Sequence, residues 1–267
     1  MKRELKKQLR RLYKKEEKLL NRREIGIVRN KVSPIVGRIQ DKIPGKLKDT
    51  LEDAFYIGFK LVFEKGHKYI EKTYDKDKLK LEHDLNNYML EINSNRKNFK
   101  SLDKKAKSSK NINSAISILE GGVLGVLGIG LPDIPLFISI VIKTIYEIAL
   151  SYGYDYNKDE EKAYILLLIS TSLSKGDRKK ELNEKVDILA RQIDKGNNIE
   201  IDLQNYIKIA SCTLSNAMLT AKFIQGIPIV GAVGGLVNYS IIRKIGNYSS
   251  LKYKKRYLMK KARKDLL

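Results

Sequence analysis

A chain of 267 residues, 42% apolar and 31% charged, is long enough to fill one large hydrophobic core. Its mean hydropathy of −0.36 argues against a multi-span membrane protein. A single cysteine, Cys212, excludes a disulfide framework and a cysteine-based metal cluster. The formal net charge of +22 points to an anionic partner, phospholipid headgroups or nucleic acid.

The charge is concentrated at the two ends. Residues 1–31 hold 13 Lys/Arg and 4 Asp/Glu, whereas residues 243–264 hold 10 Lys/Arg and no acid. A lysine-rich, isoleucine-rich composition is also what an A/T-biased genome produces, so the distribution is more informative than the total. The charge-crowded start does not read as a secretory leader, which with the lone cysteine predicts an intracellular protein.

In chain order, Leu5, Leu9, Leu12, Leu19 and Leu20 recur at helical spacing and predict a basic amphipathic helix over residues 1–29. Such a helix either lies on a membrane surface or covers a core with its leucines. Ser33-Pro34 and Pro44 read as helix starts. A helix is predicted from Leu47 to about Thr73, and a second through Leu79, Leu81, Leu85, Tyr88, Met89 and Ile92. Residues 93–113, polar and lysine-rich with few apolar anchors, read as a connector or a weak helix. Asn157 with Glu160 predicts the next helix start, ahead of the apolar run Tyr164–Ile169. Residues 177–195 form a charged amphipathic helix stopped by Gly196, and a last long helical region begins near Ile201. No alternating strand pattern occurs, so the expected class is all-α, a single helical-bundle domain.

Two apolar stretches interrupt this pattern. The 22 residues from Gly121 to Ile142 carry one charge, Asp133, between Pro132 and Pro135 and after Gly130. The length is near the bilayer-spanning threshold, but the break at its middle predicts a helical hairpin that dips or is buried. The second stretch, residues 223–242, is broken at Pro228. Gly121 with Gly125, and Gly231 with Gly235, give each stretch a spacing that lets helices approach closely. Asn238 is the polar residue of the second stretch. The lone Asp133 is expected to cap the helix that follows it; the sharper alternative is a polar anchor paired with Lys143 or Arg243. Tyr152-Gly153-Tyr154-Asp155 closes the return helix, with Gly153 as left-handed cap and Asp155 in the turn.

Signals for chemistry are weak. Glu64-x-x-His67 is half of a di-metal motif whose second half is missing, since Lys80 stands where a glutamate would precede His83. Both histidines are expected on exposed helix faces, and no metal or cofactor is expected. No phosphate-binding loop or nucleophile elbow is present in the sequence.

The run Gly128-x-Gly-Leu-Pro-Asp-Ile-Pro135, then Ile145-Tyr-x-Ile-Ala149 and Tyr152-Gly-Tyr-Asp155, resembles the EcsC protein family of bacteria. Ile227-Pro-x-Val-Gly-Ala232 with Gly235, Asn238 and Arg243 is similar to that family's C-terminal signature. The resemblance spans roughly residues 30–260, with 177–195 fitting least well, as an insertion would. It implies an α-helical, membrane-associated protein of unestablished molecular function, and it carries over no catalytic residue. The resulting expectation is a non-enzymatic accessory protein at the inner face of the cell membrane. It would bind anionic lipid or a membrane-protein partner through Lys6, Arg10 and Arg11 at one end. Lys254, Lys255 and Arg256, in a basic C-terminal tail over 243–267, would do the same at the other. The alternatives are a nucleic-acid-binding helical module using both ends, and a lipid-active enzyme with Asp133 as acid or base.

Overall fold

The computed structural model describes residues 2–21, 43–104, 106–108, 134–224 and 234–264, and among them it is all-α with no strand. Helix α1 (Lys2–Leu20) is the predicted basic helix. Its leucines face inward, with Leu5 and Leu12 buried and Leu9 and Leu19 partly buried against the core. It therefore covers the core.

Pro44 opens α2 (Gly45–Leu61) from an extended conformation, and its carbonyl accepts from the amides of Leu47 and Lys48. The predicted single helix to Thr73 is divided: a π-helical turn at Val62–Gly66 separates α2 from the short α3 (His67–Glu71). Such an insertion rotates the following turn relative to the preceding one. Asp75 then caps α4 (Lys76–Ile92) by accepting from the Lys78 amide at 2.8 Å. Of the two readings of residues 93–113, the helix holds over α5 (residues 96–104). Asn95 caps it through the Asn98 amide, and Phe99 and Leu102 anchor it in the core.

Helix α6 (Ile134–Ser151) runs through the centre of the molecule, with Ile138, Val141, Ile142, Ile145 and Ile148 sealed from solvent. It packs against α2, α4 and the C-terminal helix. By length and composition it could cross a membrane, yet 78% of it is buried inside the fold. Its apolar surface is used within the bundle. Gly153 ends it with φ 77°, and the amides of Gly153 and Tyr154 return to the carbonyls of Leu150 and Ala149. This is the predicted left-handed cap.

Helix α7 (Asp159–Leu173) is buried nearly all round. It starts after Lys158, whose side chain makes no cap, and within the preceding turn Asp155 accepts from the Asn157 amide. Helix α8 (Gly176–Lys195) buries Leu182, Val186 and Leu189 and stops at Gly196 with φ 70°. Helix α9 (Leu203–Ile224) packs on α2 and α7. The last helix, α10 (Gly234–Lys264), packs on α6, α7, α1, α9 and α8.

Candidate functional site

Lys254, Lys255 and Arg256 lie in the later half of α10, and their expected place on an anionic surface is corrected. Every residue from Leu251 to Leu258 is buried, because this part of α10 is enclosed on several sides. A buried cation must be paired, and each basic residue in this stretch finds acids from elsewhere in the chain.

Lys252 and Lys255 meet Glu16 of α1 and Asp187 of α8. Lys255 Nζ lies 2.7 Å from Glu16 and 2.9 Å from Asp187. Lys252 Nζ lies 2.8 Å from Asp187 and donates to the other oxygen of Glu16. Two cations and two carboxylates form a neutral square in which each ammonium bridges both acids. Burial lowers the Lys252 pKa from its ordinary 10.5. For Lys255 burial acts in the same direction, but Glu16 and Asp187 outweigh it and raise the pKa. For Asp187 burial works upward, and the two lysines hold it below its ordinary 3.8.

One turn away, Arg256 is clamped by Glu161 of α7 at 2.7 Å and Asp194 of α8 at 2.7 Å. Its guanidinium carbon lies 4.1 Å from the Tyr154 ring centroid and 4.5 Å from that of Tyr164, both within cation–π range. Tyr253 donates to Glu161 at 2.8 Å. Burial raises the Glu161 pKa from its ordinary 4.5, with Arg256 and Tyr253 acting against it. On the opposite side of α10, Lys254 pairs with Asp103 at 2.6 Å, and that carboxylate also accepts from the Tyr152 hydroxyl at 3.0 Å. Lys254, Lys255 and Arg256 are therefore an internal hub joining α10 to α1, α5, α7 and α8, and an outside anion has no access to them.

The family-like turn feeds this hub. Tyr152 reaches Asp103, Tyr154 lies on Arg256, and Tyr156 donates to Glu71 at 2.8 Å while stacking on Tyr146 at 3.6 Å. Gly153 is where the chain passes under His83: a Cβ there would stand 2.3 Å from Nε2. His83 is thus half-buried, contrary to the exposed position expected from sequence. Its Nδ1 lies 3.2 Å from the Ser151 carbonyl, so that nitrogen carries the proton. Asp155 sits exposed in the turn, as expected.

At the other end, Lys6, Arg10 and Arg11 are exposed, together with Lys7, Lys14 and Lys18. On α1 the pattern separates leucines inward from cations outward.

Pro135 lies in the first turn of α6, where a missing N–H costs nothing, and its carbonyl accepts from Ser139. Lys143 donates to the Thr73 carbonyl at 3.1 Å, and Arg243 lies over the Tyr239 ring. Asn238 is buried near the start of α10, and Gly235 is in its first turn. Gly121, Gly125, Gly130, Pro132, Asp133, Pro228 and Gly231 lie outside the described residues, as do Ser33 and Pro34. Among the described residues no cluster of His, Cys, Asp or Glu could hold a metal ion.

Sequence reasoning missed the acids of the hub because Glu16 is 236 residues from Lys252 and Asp103 is 151 from Lys254. A signal was nevertheless present. Tyr248, Leu251, Tyr253, Tyr257 and Leu258 surround the basic run on all sides of the helix, which leaves no purely polar face for solvent.

The chain is 28% identical over 137 residues to Protein EcsC of Bacillus subtilis (strain 168), a stretch covering 49% of this chain and 53% of that relative. The match thus spans about half the length of the relative. No solved structure matches the chain. The EcsC protein family matches across residues 6–258, and the chain belongs to that family.

Proposed function

We propose that the protein is a non-enzymatic accessory that binds the anionic inner face of the cell membrane through the outer face of α1. The observation that supports this reading is the division of α1 itself. Its leucines close the core while Lys6, Lys7, Arg10, Arg11, Lys14 and Lys18 stay in solvent. The acid Glu16 is withdrawn into the hub, which leaves Glu17 as the exposed carboxylate of the second half of the helix. A cationic face of this kind is attracted to an anionic leaflet by about 1 kcal/mol per basic residue near the surface.

Vesicle sedimentation tests the reading. Phosphatidylcholine vesicles containing phosphatidylglycerol should retain the protein, and pure phosphatidylcholine vesicles should not. Reversing Lys6→Glu, Arg10→Glu and Arg11→Glu together should reduce low-salt binding by about a hundredfold or more, from three lost contacts of that size. Equal binding to both vesicle types would refute the proposal. So would a chain that shifts DNA in a salt-dependent manner and ignores vesicles.

A further inference from the structure

Helix α4 is apolar on two opposite sides. Leu79 and Leu90 face the core and His83 lies over Gly153. The other side carries Leu81, Leu85, Tyr88, Met89 and Ile92, all between 50% and 64% exposed. Spacings of four, seven, eight and eleven residues place these five side chains on one stripe along the helix. Single exposed apolar residues are ordinary, but an aligned row of five marks an interaction surface.

The charge beside the stripe narrows what covers it. Helix α5 is tied along one flank, where Asn98 donates to the Met89 carbonyl at 3.0 Å and Ser101 to Asn86 at 2.7 Å. It exposes Arg96, Lys97, Lys100 and Lys104. Its acid Asp103 is already engaged by Lys254 and Tyr152. On the other flank, Lys261 of α10 neutralises Glu91 of α4 at 2.6 Å, and Lys260 is exposed beside it. Asp77, Glu82 and Asp84 of α4 reduce the positive charge without cancelling it. A second copy docked antiparallel on this stripe about a two-fold axis would bring the cations of α5 against themselves, and docked parallel would set them against the flank of Lys260 and Lys261. An anionic bilayer would meet the cations with its headgroups and the apolar row with its acyl boundary.

We propose that the α4 stripe is a membrane-inserting edge, with α5 as its cationic border, contacting anionic phospholipid. This rests on the membrane reading above and deepens it. The cations of α1 supply salt-sensitive attraction, and the stripe supplies apolar insertion that resists salt.

The chain contains no tryptophan, so Tyr88→Trp installs a single reporter at the middle of the stripe. On vesicles containing phosphatidylglycerol its emission should shift to the blue and be quenched by brominated acyl chains. A matched Ile188→Trp variant, exposed on α8, should show neither effect. Leu81→Ser, Leu85→Ser and Ile92→Ser together should lower binding in high salt by at least about tenfold, the loss expected from withdrawing apolar side chains from the acyl boundary. These positions are exposed, so the fold tolerates the change. If the Tyr88→Trp variant sediments with vesicles while its indole emission stays that of water, the stripe proposal fails and the α1 reading stands. If the wild-type chain binds no vesicle, both fail. If the serine variants instead convert a solution dimer to monomer without altering vesicle binding, the stripe is a self-association face and the proposal is overturned.

Discussion

At the residue scale, two glycines with the same backbone conformation have different surroundings. Gly153 and Gly196 both adopt a left-handed φ, 77° and 70°, after a helix. Around Gly196 nothing lies within 4 Å of a built Cβ, whereas at Gly153 the His83 ring is already in that space. Gly196→Ala should therefore cost about 1 kcal/mol, the left-handed penalty for an L side chain. Gly153→Ala should cost about 3 kcal/mol, because the ring must also be displaced from the Ser151 carbonyl. Urea unfolding of both variants measures the difference, and equal losses would remove the packing argument.

At the element scale, α1 is held by both hydrophobic and ionic contacts, and Glu16 is the residue through which the ionic part acts. Removing one partner of a buried ion pair leaves an uncompensated charge and costs about 3 kcal/mol or more, while replacing the whole group by apolar residues is often near neutral. Glu16→Met should therefore destabilise strongly, because Lys252 and Lys255 would then share Asp187 alone. Glu16→Met combined with Lys252→Met and Lys255→Met should regain part of the loss, since the one charge left, Asp187, keeps 29% of its side chain in solvent. Calorimetric melting of the single and triple variants decides this. A triple variant no more stable than Glu16→Met would show that the square is required as a unit.

At the scale of the whole molecule, the all-α class was legible because apolar residues recur at helical spacing from Leu5 to Ile193, and Gly153 and Gly196 stop their helices where the sequence places them. The destination of the positive charge was not legible. Charge counts describe the two ends alike, yet α1 turns its cations outward while α10 buries Lys252, Lys254, Lys255 and Arg256, a difference set by acids far away in sequence. The choice between connector and weak helix over residues 93–113 was left open by the sequence, and Phe99 and Leu102 suffice to anchor α5 in the core. The same distribution has a consequence for proteolysis. The run Lys252-Tyr-Lys-Lys-Arg256 offers four closely spaced cleavage points to trypsin in an unfolded chain, and in the native fold each is locked in a helix whose side chains are sealed. Cleavage there follows the population in which that helix has opened. Under brief digestion these bonds should outlast those around the exposed cations of α5, and Glu16→Met should bring them forward. The most cationic stretch near the end of the chain thus becomes a clock for unfolding, read from the order in which its fragments appear.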